Sequence, residues 1–345
     1  MTTTVYSNVW NPRQGGGMAY ILGIALALSE RDEVRLLFPT RISRESVTRL
    51  FPIPIDGLDL GTAPKIRFAL GRELLNLVSN GRVVIQATEV PRLKGIWNAH
   101  LVCEFPFQRR LGPGSRLRLA AFRSIVANSA YTATWIERRW GRRAQVLHPP
   151  VFPIPVREKK PWIVALGRFT DGGRSKRQLE MVRTFRRMVE EGLDGWELHL
   201  VGTAQTPEYA FQVAQEAEGL PVMLHLDASR EELEAVCGAA SLFWHFTGAG
   251  EDPETAPERM EHFGIATVEA MSAGAVPVVV ARGGQPEIVQ EGTGLLWSTF
   301  EECAESTLRL CRDGELRARL SEGARRRAGD FAWPAFAERA RELLA

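Results

Sequence analysis

Short β-rich runs alternate with longer helical stretches from one end of this chain to the other. A strand that re-enters its own sheet through a helix runs parallel to the strand before it, and a parallel sheet must be covered on both faces. The alternation therefore predicts an α/β architecture of doubly wound parallel sheets. In the first half, strands are expected over 4–9, 34–38, 82–87, 100–105 and 124–127. Apolar residues at three- and four-residue spacing predict helices over 18–29, 66–79 and 131–140. In the second half the expected strands are 162–166, 197–201, 222–226, 242–246, 276–280 and 294–297. Helical patterns cover 176–190, 207–218, 231–237, 265–273 and 300–311.

A chain of 345 residues has room for two such domains. The boundary falls at His148-Pro-Pro-Val-Phe-Pro-Ile-Pro155, where four prolines can neither continue a helix nor sit inside a central strand. The expected division is a first Rossmann-like domain over 1–150 and a second over 151–332, with a central cleft between them. Residues 333–345 open on Trp333-Pro334 and form an amphipathic helix expected to return toward the first domain. The longest apolar stretch, Met18 to Leu28, has eleven residues, and a membrane-spanning helix needs about 20. The chain opens without a basic segment followed by an apolar run, and its four cysteines form no CxxC pair. The expected location is the cytoplasm, either free or peripheral at the inner face of the membrane.

Charge is unevenly distributed. Residues 1–150 hold 21 Lys+Arg against 10 Asp+Glu, or +11, whereas residues 151–345 hold 22 against 31, or −9. A basic first half suits a membrane surface, a phosphorylated acceptor or nucleic acid, and equally a solvated arginine-rich surface. Aromatics are not interleaved with the basic residues in a recognisable nucleic-acid motif, so no nucleic-acid partner is expected.

The most informative stretch is Glu261-His-Phe-Gly-Ile-Ala-Thr-Val-Glu269-Ala-Met-Ser-Ala-Gly274. A glycine-led helix start here precedes an apolar strand, so its free N–H groups face the mouth of a sheet, where a diphosphate is favoured. Glu269 lies about one turn into the helix, within reach of a ribose diol, and Glu261 lies just before it. Upstream, Arg168 follows the apolar run Val164-Ala-Leu-Gly, with Lys176 beyond Asp171-Gly-Gly. A planar guanidinium and a compact ammonium suit the negative charge that develops when a nucleotide leaves a sugar. Gly15-Gly16-Gly17 follows the first strand and opens the first helix; it is not a GxGxxG fingerprint, and a plain strand–helix turn also accounts for it. His245 ends a strand, in either a donor-supporting role or a packed core, and His262 is read as a local support beside Glu261.

These pieces together resemble glycosyltransferase family 4, the group 1 glycosyltransferases of GT-B fold. The segment from Glu261 to Glu269 is similar to that family's Glu-x7-Glu motif. Gly283-Gly284-Gln285-Pro286-Glu287-Ile288-Val289, Asn128-Ser129-x-Tyr131-Thr132 and Pro149-Pro150-Val151 agree with the family's neighbouring segments. The resemblance is faint over residues 40–120. It implies a retaining transfer of a hexose from a nucleotide-sugar donor by front-face attack, with no cofactor. Arg168 and Lys176 would hold the diphosphate, and Glu261 would orient sugar hydroxyls. Glu269 would take the ribose, and Phe263, Gly264, Ile265 and Ala266 would offer backbone N–H groups. Gly16 and Gly17 would approach donor phosphate and acceptor, and His245 would support the donor. No Asp-x-Asp occurs, so no metal is expected. The acceptor is expected to be a glycan, a lipid-linked species or a small molecule, and the basic first domain to touch anionic membrane. One departure matters: where the family often carries a first-domain histidine before an aromatic-proline pair, this chain has Glu104 before Phe105-Pro106. A carboxylate there would take over acceptor deprotonation or oxocarbenium stabilisation. The rival expectations are an epimerase or a pyridoxal-dependent phosphorylase on the same architecture, or a nucleotide-sugar sensor without turnover.

Overall fold

The computed structural model describes residues 2–7, 15–45, 47, 55, 57–62, 81–91, 99–173 and 175–345. The chain forms two compact units, one of Met1–Pro150 with Phe331–Ala345 and one of Val151–Asp330. The helix expected over 66–79 lies outside the described residues.

The first unit is a seven-stranded sheet in the order β3-β2-β1-β4-β5-β6-β7, with every described pairing parallel. Its strands are β1 (Thr2–Ser7), β2 (Glu33–Phe38), β3 (Asp59–Thr62), β4 (Arg82–Gln86), β5 (Ala99–Cys103), β6 (Ser124–Ala127) and β7 (Gln145–Val146). Helix α1 (Gly15–Ser29) is apolar nearly all round, so one covered face does not suffice. The last helix of the chain, Trp333–Leu343, lies on it: Phe336 meets Tyr20 at 6.2 Å between ring centroids. A Cβ added to Gly23 would come within 3.0 Å of Phe336 and closer still to Pro150. The eleven-residue apolar run is thus core.

The second unit is a six-stranded parallel sheet in the order β10-β9-β8-β11-β12-β13. These strands are β8 (Lys160–Leu166), β9 (Glu197–Gly202), β10 (Val222–Leu226), β11 (Ala240–His245), β12 (Val276–Val280) and β13 (Leu295–Trp297). The expected strands fall within a residue or two of these limits; β11 and β12 are buried along their whole length, whereas β10, at the sheet edge, is only partly buried. Trp244, Phe246 and Trp297 fill one side of the sheet, and the buried Trp244 indole donates to Thr307 Oγ1 at 3.0 Å.

Several elements among the described residues were not expected from the sequence, among them the short helix Gln285–Ile288. β3 and β7 are edge strands too short for an alternating pattern. Helix Pro113–Ala120 buries only Leu119. Helix Gly314–Ala328 packs through Leu320, Gly323, Ala324 and Ala328, of which three are small residues with little hydrophobic signal. One expected helix also starts late. It spans Gln178–Glu190 rather than 176–190, because Arg177 adopts a left-handed conformation (φ 62°) and ends the helical path there.

Candidate functional site

In a doubly wound sheet, ligands bind beyond the carboxyl ends of the strands where strand order reverses. In the second unit that point lies between β8 and β11, which pair directly (Leu242 with Ile163, Phe243 with Val164). β8 therefore delivers Gly167 and Arg168, and β11 delivers His245, to adjacent positions. Gly167 and Gly202 make the crowding at this end possible: a Cβ on Gly202 would lie 2.0 Å from Gly167 O. A Cβ on Gly167 would lie 2.5 Å from Lys176 Cγ, so the lysine stem rests on the glycine backbone.

That stem carries Lys176 Nζ to within 2.5 Å of Glu261 Oε2. The same oxygen meets His245 Nε2 at 3.0 Å. Burial lowers the His245 pKa, and the Lys176 charge adds to this against the raising effect of Glu261. The ring is therefore neutral at pH 7, and Nε2–H is the donor to the carboxylate, leaving Nδ1 buried without a hydrogen-bond partner. For Glu261, burial by itself would raise the pKa, but the Lys176 ammonium and the His245 hydrogen bond outweigh it and hold the carboxyl well below the ordinary range.

The backbone around Glu261 is braced from one side. Gly283 has φ +62°, and a Cβ there would lie 2.2 Å from Glu261 O. Gly284 N donates to Glu261 O at 2.8 Å, and a Cβ on Gly284 would meet His262 O at 2.6 Å. Gln285, fully buried, accepts from Thr267 Oγ1 at 2.9 Å. The Gly283-Gly284-Gln285 segment thus serves as a backbone platform. On it lie Phe263 and the helix Ile265–Ser272, whose N-cap is Gly264 at φ +122° with no side-chain cap. The N–H groups of Ile265 and Ala266 have no intrahelical acceptor, whereas Thr267 N already donates to Gly264 O at 3.0 Å.

Other expected residues make contacts of their own. Arg168 Nη1 donates to Gln205 Oε1 at 3.1 Å. Glu269 Oε1 accepts from Arg230 Nη1 at 2.8 Å, a contact across 39 residues that nothing in the sequence announces. Burial raises the Glu269 pKa, and the Arg230 guanidinium opposes it. Arg177 was also missed. From its left-handed backbone it reaches Glu180 at 3.0 Å and Glu251 at 2.7 Å, and Glu251 also accepts from Arg259. It thereby ties the segment bearing Lys176 to the loop that leads to Glu261.

In the first unit the reversal lies between β1 and β4. At their ends Ser7 Oγ donates to Gln86 Oε1 at 2.6 Å. Gln86 Nε2 donates to Gly17 O at 3.0 Å and to Glu104 Oε1. Gly16 and Gly17 belong to the first turn of α1, which starts at Gly15. A Cβ on Gly17 would lie 2.5 Å from both Glu104 carboxylate oxygens. The carboxylate therefore rests against a helix N-terminus, the favourable end for an anion. Glu104 and Gly17 were singled out in the sequence. Gln86, which joins them, was not.

The model of the family "Glycosyl transferases group 1" matches residues 151–327, just over half of the chain. The chain belongs to the group 1 glycosyltransferases. Two curated relatives in this comparison are D-inositol 3-phosphate glycosyltransferases. The one from Saccharomonospora viridis is 42% identical over 86 residues, covering 24% of this chain and 20% of the relative. The one from Corynebacterium efficiens is 37% identical over 111 residues, covering 31% of this chain and 23% of the relative. The match thus spans less than a quarter of either relative's length. Among solved structures, Anabaena HepE in complex with UDP and glucose superposes with TM-score 0.70 at 18% identity, covering 99% of this chain and 98% of that one. Sucrose-phosphate synthase from Thermosynechococcus elongatus gives 0.70 at 17% identity, with the same coverage. The fold of this group 1 glycosyltransferase is accordingly that of the GT-B enzymes.

The Lys176–Glu261–His245 arrangement, in which His245 is buried and the other two side chains are partly buried, carries a testable consequence for stability. Because the Glu261 pKa is depressed on folding, its contribution is complete above the unfolded carboxylate pKa of about 4.3. It is lost as pH falls through the folded value. Glu261→Gln is expected to lower stability by about 2 kcal/mol at pH 7, with the gap to wild type closing as pH drops below about 4. Paired thermal melts across pH measure this, and a gap that stays constant down to pH ~3 excludes the ionised Glu261 as its source.

Proposed function

We propose that this glycosyltransferase moves a hexose from a nucleoside diphosphate sugar to an acceptor hydroxyl with retention of configuration and without a divalent metal. The observation that carries the proposal is the Glu261 carboxylate held between Lys176 and His245, beside an uncapped helix N-terminus at the point of strand reversal. Lys176 and the first-turn N–H groups of helix Ile265–Ser272 meet the diphosphate, with Arg168 as the second cation. Glu261 accepts from sugar hydroxyls and Glu269, held in place by Arg230, from the ribose. In the transfer the bond from the anomeric carbon to the phosphate oxygen breaks, and a bond to the acceptor oxygen forms on the same face. The departing diphosphate takes the electron pair, and the acceptor proton passes to a diphosphate oxygen or to Glu104. No carboxylate acts as a covalent nucleophile, unlike a retaining glycosidase. UDP is the first nucleotide to test, since Anabaena HepE is crystallised with UDP and glucose. The relatives named for D-inositol 3-phosphate support a phosphorylated acceptor.

The test is thermal stability with UDP-, GDP- and ADP-sugars in EDTA. A donor at a hundred times its dissociation constant adds about 2.7 kcal/mol. One nucleotide class should raise the melting temperature with EDTA present. A shift that appears only with magnesium overturns the metal-free part, and no shift with any nucleotide overturns the donor site as assigned.

A further inference from the structure

Residues 105–143 hold nine arginines (109, 110, 116, 118, 123, 138, 139, 142 and 143) against one acid, Glu137, or +8 of the +11 carried by residues 1–150. The structure gathers this segment into one surface of the first unit. Arg139 Nη1 donates to Pro106 O at 2.8 Å, and the Trp140 indole donates to Gln108 O at 3.0 Å. Arg142 donates to Leu119 O at 3.0 Å and to Phe122 O at 3.4 Å, at the C-terminal end of helix Pro113–Ala120. The end of helix Ala130–Trp140, the 105–112 loop and the 113–120 helix are therefore one contiguous patch. Arg110, Arg116 and Arg143 are exposed on it. Arg138 and Arg139 lie over Trp135 at 5.1 Å, which holds their guanidinium planes against a rigid base. Among these cations stand two large apolar side chains open to water, Leu117 at 77% and Phe107 at 40% exposure. Leu117 lies between Arg116 and Arg118 on a helix that buries only Leu119.

Arginines by themselves fit any polyanion. Exposed apolar side chains set among them fit a surface that is anionic outside and hydrocarbon beneath. We infer that the 105–143 face docks on an anionic phospholipid bilayer, with the arginines on lipid phosphates and Leu117 and Phe107 entering the acyl boundary. The guanidinium fork matches phosphodiester oxygens, and Leu117, the more exposed of the two apolar side chains, has no ring to stack on a nucleobase. Docking of this kind brings a lipid-linked acceptor and the enzyme into two dimensions. The inference does not depend on the donor chemistry.

The test is cosedimentation of the full chain with vesicles of phosphatidylcholine alone and with added phosphatidylglycerol. Binding is expected only with phosphatidylglycerol, weakening as salt rises. Removing surface charge in the triple variant Arg110→Gln/Arg116→Gln/Arg143→Gln should weaken it about a hundredfold, at roughly fivefold per arginine. Leu117→Asp should weaken it further, and Leu117→Trp should strengthen it. The gain-of-binding variant keeps the test decisive if a loss variant folds poorly. Equal binding to both vesicle types overturns the proposal, as does binding indifferent to these variants. Heparin or single-stranded DNA binding that depends on the arginines but not on Leu117, without vesicle binding, assigns the patch to a soluble polyanion and also overturns it. The donor-induced thermal shift of the triple variant should match wild type, so failure here leaves the transferase reading standing.

Discussion

Replacing Lys176 by methionine is expected to slow transfer about 10²–10³-fold, the cost of removing one positioned group from developing charge. The effect should be large because the ammonium is fixed before donor arrives. Its stem lies on Gly167, where any Cβ would intrude, and its Nζ is held by Glu261 at 2.5 Å. A preorganised cation needs no rearrangement when the diphosphate leaves. Methionine keeps much of the stem's volume against Gly167, so the strand end should stay packed while the charge is lost. The variant also leaves Glu261 with only His245 of its two partners, so the Lys176 and Glu261 substitutions should combine non-additively. Steady-state kinetics with the donor found by thermal shift make the measurement. A kcat/KM within threefold of wild type would falsify the diphosphate role.

Glu104→Gln is expected to lower kcat about 10²-fold or more and to flatten the acid limb of its pH profile, the range of effect for a general base. Its carboxylate lies against the first turn of α1, with the Gln86 amide on Oε1 and that amide in turn set by Ser7. Glutamine preserves shape, and loss of the charge from the helix N-terminus should cost only about 0.3–1 kcal/mol. Donor binding should be unchanged, because the nucleotide is assigned to the second unit. A pH profile that keeps its acid limb in the variant assigns the proton elsewhere and leaves Glu104 a structural support for Gly17.

The fold and the family were legible in the sequence because both are written locally. β8, β11 and β12 are continuous apolar runs bounded by breakers, and such runs become buried parallel strands wherever they lie in the sheet. The order Gly-Arg, Lys, Glu-x7-Glu is likewise a matter of spacing along one chain. Local pattern failed where packing uses little hydrophobicity, as in helix Gly314–Ala328, where Gly323, Ala324 and Ala328 pack beside a single buried leucine, Leu320. It failed again where a side chain pays the strain of an unusual backbone, as Arg177 does at φ 62° to reach Glu180 and Glu251.

By itself, then, the sequence determined the two doubly wound sheets, the proline-rich junction and the residues from which a nucleotide-sugar site could be assembled. Only the tertiary structure decided who touches whom. The pairing of β8 with β11 sets His245 beside the end that bears Gly167, and Lys176 reaches Glu261 across 85 residues. Arg230 meets Glu269, and Gln86 joins Gly17 to Glu104, by the same means. Strand order and long-range contact depend on which buried surfaces fit together, a property of the packed whole. Periodicity within a segment carries no record of it.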